Sequence, residues 1–301
     1  MIALHVSPEV EDALRTQRPV VALESTIFSN LGLPSPANAE ALQRCIVAIR
    51  SHGAVPAITA VLDGIARVGI TESEHERILG AARKVAERDL AIAIGERWTF
   101  GATTVSASLA LAARTGIKVF ATGGIGGVHR GVEIHGDVSA DLYALARHSV
   151  VTVSAGAKSF LDLPRTVELL ETLGVPVVGY ACSEFPAFTV QSSGIALKHR
   201  IDDVSVLALV AHHRLQMGGG MLVCTPLPTA DALDADMMNA VIERALHAAA
   251  SRGISGPDVT PMVLAEIATD TSGEAVRANL ALAENNARLA AALAVGLTKI
   301  S

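Results

Sequence analysis

The chain has 301 residues, of which half are apolar and 18% are charged, and this composition excludes a disordered protein. The formal net charge is −6 and no block of basic residues occurs, so we expect no binding of nucleic-acid polymers. The cysteines Cys45, Cys182 and Cys224 are widely spaced, which argues against a disulfide framework and a structural zinc site. No leader-like N-terminus and no apolar segment long enough to span a membrane is found, so we expect a cytoplasmic protein.

Short, continuously apolar runs recur along the chain, and such runs are typical of strands that are covered on both faces. The predicted strands are Val20–Leu23, Ala54–Leu62, Leu90–Ile94, Ile117–Ala121, Val150–Val153, Val175–Tyr180 and Met221–Cys224. The predicted helices between them are Asn38–His52, Glu72–Glu87, Thr104–Thr115, Ala140–His148, Leu163–Leu173 and Ser205–Met217. This alternation predicts a three-layer α/β/α sandwich around a mostly parallel sheet.

The last third of the chain, from Ala230 onward, is rich in alanine and shows only helical periodicity. Its predicted helices are Asp236–Arg252, Thr260–Asp270 and Glu274–Gly296, with a loop at Gly253–Pro257 between the first two. We expect this helical subregion to pack on the sheet. Because no linker or internal repeat is visible, residues 1–301 are predicted to form a single domain.

A carboxylate follows the first predicted strand directly, in Glu24-Ser25-Thr26. Ligands of open α/β sheets bind beyond the carboxyl ends of the strands, and burial there would raise the pKa of a glutamate toward the range useful for proton transfer. Glu24 is therefore a candidate catalytic acid or base. A helix-capping or ion-paired loop residue is the alternative interpretation.

Two glycine-containing segments are candidate anion sites. Gly101–Ser106 opens a predicted helix, whose free N–H groups suit a phosphate, although capping by its threonines explains the same residues. Thr122–Gly131 contains five glycines in nine positions and ends in His129-Arg130-Gly131, so backbone and cationic donors can approach a ligand closely. A purely structural turn is the alternative for the second segment.

Two further segments carry groups with catalytic potential. Asp137 and Asp141 are four residues apart, so on one helix face they would suit Mg²⁺ or Mn²⁺, with helix capping as the alternative. Lys158 follows a predicted strand among alanine, glycine and phenylalanine, where burial would favour a neutral, nucleophilic amine. A lysine that extends to solvent is the alternative there.

These segments occur in an order that resembles one enzyme family. The chain is similar to the pseudouridine-5′-phosphate glycosidases, which include the indigoidine-synthase-A-like proteins, from about Val6 to about Gly296. The segments that carry the resemblance are Ala22–Thr26, Gly101–Val105, Phe120–Gly131, Asp137–Leu142 and Ser154–Ser159. The resemblance implies reversible cleavage of pseudouridine 5′-phosphate to uracil and ribose 5-phosphate, by a homo-oligomer that is commonly a trimer.

The resemblance also implies the chemistry and the residues. The base is joined to the sugar through carbon, so no leaving oxygen can be protonated as in ordinary glycoside hydrolysis. Instead a lysine, matched by Lys158, forms an imine with ring-opened ribose, and Glu24 matches the carboxylate that moves protons. Asp137 matches a ligand of Mn²⁺. Matching or neighbouring substrate contacts are Lys84, Val105, Thr122, His129, Ser139, Ala140, Asp141 and Asn279.

Two departures from the family pattern leave the identity of the base undetermined. Many members have a histidine near the position of Asn30, and Glu133–Gly136 differs from a stretch that usually contains threonine. Both lie close to the expected base site. One alternative is therefore an enzyme that joins ribose 5-phosphate to a ring other than uracil, and another is a non-catalytic protein that binds sugar phosphates.

Overall fold

The computed structural model describes residues 2–254, 256 and 259–300, and eleven strands in this part of the chain form one sheet. The strands are β1 (Leu4–Val6), β2 (Val20–Leu23), β3 (Val55–Leu62), β4 (Ile65–Val68), β5 (Arg83–Val85), β6 (Phe100–Thr103), β7 (Val119–Ala121), β8 (Val151–Ser154), β9 (Val177–Tyr180), β10 (His199–Ile201) and β11 (Met221–Cys224).

Twelve α-helices accompany these strands in the described residues. They are α1 (Pro8–Arg15), α2 (Ala37–Ser51), α3 (His75–Ile78), α4 (Leu90–Gly95), α5 (Val105–Thr115), α6 (Val132–His135), α7 (Ala140–Arg147), α8 (Leu163–Thr172), α9 (Val204–Met217), α10 (Ala235–Ser251), α11 (Val259–Asp270) and α12 (Glu274–Thr298). None of them is both long and apolar enough to cross a membrane.

The centre of the sheet is parallel. The strand order β3-β2-β7-β8-β11-β9-β10 contains only parallel pairs, and Leu23 pairs with Ala121, which in turn pairs with Val153. Because the strands end at the same level, the residues that follow them emerge side by side at one edge. This register is what brings Glu24 and Thr122 together.

Strand β3 changes partners halfway along its length. Val55–Ile58 pairs with β2 in parallel, whereas Thr59–Leu62 pairs with β4 in antiparallel fashion, and the last two of these residues also pair with β6. Strand β5 then adds to β6 in parallel. The side chains of Ser25, Thr59, Thr103 and Ser108 form a buried hydrogen-bonded hydroxyl cluster at this junction. The cluster joins the end of β2 to β3, β6 and α5, and so anchors the wall that carries β5.

Helices cover both faces of the sheet. Val21 and Leu23 belong to a core with α2, α9 and α12, whereas Val20 and Ala22 belong to a second core with α1, α5 and α7. Alternate residues of one strand therefore enter opposite cores, as expected for a sheet between two helical layers. The predicted α/β fold with a mostly parallel sheet and a helical C-terminal part is confirmed. Helix α12 packs directly on β2, β7 and β8.

Two predicted elements were wrong. Leu90–Ile94 is not a strand but lies in helix α4, where Ala93 is buried and Ile92 is exposed, because a short apolar run does not distinguish strand from helix. The helix predicted over Glu72–Glu87 ends at Ile78, and residues 83–85 instead form β5. Pairing with β6 stabilises that strand, and this partner is distant in sequence.

Five strands were not predicted, namely β1, β4, β5, β6 and β10. Each has three or four residues, and together they belong to the edges of the sheet or to its mixed part. The loop predicted at Gly253–Pro257 includes Ser255 and Pro257, which lie outside the described residues. No strand follows β11 in the described part of the chain, as expected.

Replacement of Thr59 by valine should lower the free energy of unfolding by about 1–3 kcal/mol, because it removes buried hydrogen bonds while it preserves side-chain shape. The Thr59 hydroxyl contacts Leu23 O at 3.1 Å and Ser108 Oγ at 2.8 Å. The matched control is Thr152→Val, since the buried Thr152 hydroxyl has no hydrogen-bond partner. Urea denaturation measures both variants, and equal losses in the two would contradict the role of the cluster.

Candidate active site

A cavity of about 390 Å³ opens beyond the carboxyl ends of β2, β6 and β7. All eleven residues that the sequence singled out for the site line it: Glu24, Lys84, Val105, Thr122, His129, Asp137, Ser139, Ala140, Asp141, Lys158 and Asn279. They come from six separate stretches of the chain and from α12. The structure thus brings these eleven residues into one space.

Glu24 is the buried carboxyl group of this cavity. It follows β2, its side chain is 8% exposed, and Thr122 Oγ1 donates a hydrogen bond to its Oε1. Burial raises the pKa of Glu24 to about 7, although the Lys158 and Lys84 ammonium groups and the Thr122 hydroxyl act in the opposite direction. Near neutral pH the carboxyl group therefore exists in both protonation states, which suits proton transfer in either direction.

Lys158 lines the cavity and is partly buried. The segments that follow β7 and β8 continue side by side, since Ile125 N donates to Gly156 O at 3.0 Å and Lys158 N donates to Ile125 O at 3.1 Å. Lys158 Nζ donates to Gly124 O at 3.1 Å. The amine is thereby held inside the cavity, within electrostatic reach of Glu24, rather than in bulk solvent.

Strand β5 forms a cationic wall of the cavity with Lys84, and Arg88 follows it at the rim. Burial is the main cause of a lowered pKa of Lys84, with a further contribution from Lys158, whereas Asp141 and Glu24 act to raise it. Two ammonium groups and a guanidinium group around one space favour a dianion such as a phosphate monoester. Arg88 was not predicted, because it lies beyond β5 and outside every motif that the sequence offers.

Asp141 links three elements of the site. Its Oδ1 accepts a hydrogen bond from Ser106 N at 3.0 Å, and its Oδ2 accepts one from Gly126 N at 2.9 Å. A Cβ atom at Gly126 would lie only 2.3 Å from Ser139 Oγ, so only glycine permits this approach. Ser139 caps α7 by accepting from Asp141 N at 3.2 Å. The carboxylate is thus engaged with backbone N–H groups.

The prediction that Asp137 and Asp141 share one helix face was wrong, because α7 begins at Ala140 and Asp137 precedes it. Asp137 Oδ2 lies 3.8 Å from Nδ1 of His129. Burial lowers the pKa of His129, although Asp137 acts in the opposite direction. No group of three or more His, Cys, Asp or Glu side chains that could hold a metal ion occurs in the described residues.

Two other expectations changed with the structure. Arg130, a candidate anion donor, instead forms an ion pair with Glu243 of α10 at 2.5 Å and does not line the cavity. Helix capping by threonine was the alternative interpretation of Gly101–Ser106, but the Thr104 side chain makes no capping hydrogen bond to α5. Its hydroxyl lies 3.1 Å from Ser106 Oγ instead. Residues 101–103 of this segment belong to β6.

Part of the cavity lining is apolar. Leu31, Phe188 and Leu264 line the cavity together with Asn279, whose buried Oδ1 has no hydrogen-bond partner. These four residues also line an adjoining cavity of about 440 Å³, to which Asn30 contributes. Phe188 and Leu264 were not predicted, since they lie far from any recognisable motif. Their apolar surface next to an amide suits a flat ring with polar edges.

A buried acid, an amine and a cationic wall at one sheet edge place the chain among the α/β proteins whose ligand sites lie beyond the carboxyl ends of the strands. The comparisons specify the family. The model of the family described as "Indigoidine synthase A like protein" matches residues 9–296, and the chain belongs to this family.

Similar proteins match over almost their whole length. A pseudouridine-5′-phosphate glycosidase of Myxococcus xanthus is 48% identical, with 99% of each chain covered. The structure of the prealnumycin C-glycosynthase AlnA in complex with ribulose 5-phosphate is 36% identical, with a TM-score of 0.90 and coverage of 99% and 97%. An indigoidine synthase A-like protein from Thermotoga maritima is 34% identical, with a TM-score of 0.88 and the same coverage.

Replacement of Glu24 by glutamine should stabilise the protein at pH 8 and have little effect at pH 5. The native Glu24 binds a proton up to a pKa of about 7, whereas the unfolded chain releases it near 4.5, so wild-type stability falls as the pH rises between these values. A shift of this size corresponds to about 3 kcal/mol. Urea denaturation from pH 5 to pH 8 measures the difference, with the exposed Glu76→Gln as control. A difference that does not change with pH would contradict burial of the charge.

Proposed function

We propose that this chain is a pseudouridine-5′-phosphate glycosidase, which reversibly converts pseudouridine 5′-phosphate and water to uracil and ribose 5-phosphate. The observation that carries the proposal is the placement of the Lys158 amine and the buried Glu24 carboxyl group in one cavity beside a cationic wall. The glycosidase name of relatives at 48% identity supports the same reaction.

In the direction of synthesis, the Lys158 amine, after loss of its ammonium proton, adds to the C1 aldehyde of open-chain ribose 5-phosphate, and water leaves to give an imine. Protonation makes the imine carbon electrophilic. C5 of uracil attacks this carbon, the electron pair of the C=N bond moves to nitrogen, and C5 then loses its proton. The ribose 4-hydroxyl closes on C1 and expels the amine. Cleavage is the reverse sequence.

Glu24 is the group that we assign to proton transfer in these steps. Because burial raises the pKa of Glu24 to about 7, it can remove a proton as carboxylate and return one as acid near neutral pH. Thr122 Oγ1 orients the carboxyl group through its hydrogen bond to Oε1. Lys84 and Arg88 supply positive charge for the phosphate, with His129 as a further neighbour.

Asp137 is proposed to hold Mn²⁺ near the sugar. Its side chain lines the cavity, whereas both oxygens of the neighbouring Asp141 already accept backbone hydrogen bonds. One carboxylate fits a hard cation that keeps most of its waters. Such an ion would add positive charge and polarised water next to the sugar. Mn²⁺ binding that is unchanged in Asp137→Ala, measured by electron paramagnetic resonance, would remove Asp137 from the ligand set.

A second candidate function is the joining of ribose 5-phosphate to a ring larger than uracil. The adjoining cavity of about 440 Å³ favours it, because it shares its apolar lining residues Leu31, Phe188 and Leu264 with the first cavity. This candidate keeps the same chemistry at Lys158 and changes only the carbon nucleophile. It requires that the protein consume ribose 5-phosphate with another acceptor and not with uracil.

Incubation with Mn²⁺, ribose 5-phosphate and uracil should yield pseudouridine 5′-phosphate, detected by mass spectrometry. The Lys158→Ala variant should yield none, because no imine can form, while its fold and thermal transition are retained. The exposed Lys118→Ala variant is the control. Product formation only with a larger ring would favour the second candidate, and wild-type turnover in Lys158→Ala would refute the mechanism.

Borohydride reduction in the presence of ribose 5-phosphate should leave a covalent sugar-phosphate adduct on Lys158. Peptide mass spectrometry locates the adduct, and the Lys84→Ala variant should still form it at Lys158. Binding of ribose 5-phosphate without an adduct at any lysine would instead support a non-catalytic sugar-phosphate-binding protein.

Assembly and location are part of the same proposal. The expected homo-oligomer, a trimer, is supported by apolar side chains on the outer face of α9, where Val206, Leu209 and Met217 are 49%, 47% and 80% exposed. Light scattering in solution tests it, and a monomer would overturn it. A cytoplasmic location is supported by three free cysteines.

A further inference from the structure

Asn286 is a buried polar residue of α12 that is not among the residues lining either cavity. Its Nδ2 donates hydrogen bonds to Thr122 O at 2.8 Å and to Gly123 O at 3.0 Å. Its Oδ1 is buried and has no partner. An unsatisfied buried oxygen is unfavourable, so the contribution of this side chain lies in its two donors.

The turn that Asn286 contacts carries hydrogen bonds to both proposed catalytic groups. Thr122 Oγ1 donates to Glu24, and Gly124 O accepts from Lys158 Nζ at 3.1 Å. The carboxyl group and the amine are therefore oriented by neighbouring residues of a single three-residue turn, Thr122–Gly124. A shift of this turn would change the orientation of both groups at once.

The turn lies directly on α12. A Cβ atom at Gly123 would be 3.1 Å from Leu282 Cδ1, and Leu282 is one helical turn before Asn286. On its other side, Gly123 O also accepts a hydrogen bond from Ala155 N at 2.9 Å. The Asn286 amide thus fixes to α12 a segment that is already paired with the extension of β8.

We propose that Asn286 is a positioning residue that fixes the Thr122–Gly124 turn on α12 and thereby sets the relative placement of the Glu24 carboxyl group and the Lys158 amine. The kinetic part of this inference depends on the proposed function. The structural part does not, because it concerns the turn alone.

Hydrogen exchange tests the structural part without any assay of turnover. In Asn286→Leu, which retains side-chain volume but removes both donors, the peptide 119–125 should exchange faster than in the wild type. Asn285→Leu is the matched control, since Asn285 also lies on α12 but donates to Thr225 Oγ1 at 3.4 Å and Pro226 O at 3.3 Å. Equal exchange of this peptide in the two variants would overturn the proposal.

Kinetics test the positioning role. In Asn286→Leu, kcat should fall by about 10–100-fold, as expected for a small misplacement of reacting groups, whereas KM should change by less than about threefold. Asn285→Leu should keep kcat within about twofold of the wild type. The double variant Asn286→Leu/Thr122→Val should lower log kcat by less than the sum of the two single effects. The reason is that both changes act on the hydrogen bond between Thr122 and Glu24.

The pH profile separates positioning from general destabilisation. In Asn286→Leu, a weaker hydrogen bond from Thr122 should raise the pKa of Glu24, and the acidic limb of the pH profile should move to higher pH. The other charges that act on Glu24 are Lys158, Lys84 and Asp141. An unchanged profile with unchanged kcat would overturn the kinetic role.

Two outcomes need their own variants or readouts. If Asn286→Leu does not fold, Asn286→Ser, which keeps one donor, should show the same changes at smaller size, and wild-type behaviour in it would overturn the proposal. If the wild type lacks activity with uracil, the proposed function fails, and hydrogen exchange alone decides the role of Asn286.

Discussion

The register of the central parallel strands is the constraint on which the site depends. Because Leu23 pairs with Ala121 and Ala121 pairs with Val153, strands β2, β7 and β8 end at one level. The chain therefore releases Glu24 and Thr122 at adjacent points of the sheet edge. A shift of one residue in either pairing would move each side chain to the opposite face and separate the hydrogen-bonded pair.

Burial of the Glu24 carboxyl group is the second feature that determines the site, and it affects both the stability of the protein and its chemistry. Glu24 is buried and accepts a hydrogen bond from Thr122 of the glycine segment, and desolvation raises its pKa toward neutrality despite two nearby lysines. The same burial destabilises the ionised form of the folded protein. The cavity therefore keeps a reactive carboxyl group at a cost in stability, which is common at sites that perform proton transfer.

Glycine residues make this enclosure possible by allowing backbone to approach side chains. Gly126 leaves room for Ser139 and for the Asp141 carboxylate, and this carboxylate accepts a hydrogen bond from the Gly126 N–H group. At Gly124 a Cβ atom would lie 2.6 Å from Phe188 Cδ2. The glycine segment is thus both a wall of the cavity and the surface on which α7 and the Phe188 loop pack. The ligand-site and structural interpretations of this segment are compatible.

The sequence by itself determined the parallel α/β core and eleven residues that line the cavity, through buried strands, strand-end polar residues and the family resemblance, but it missed Arg88, Phe188 and Leu264. Only the tertiary structure decided that Lys84 lies on a strand, that Asp141 is engaged by backbone N–H groups and that Asn286 contacts the Thr122 turn. Each of these depends on a partner at least 15 residues away in the chain, and local periodicity does not report such pairing.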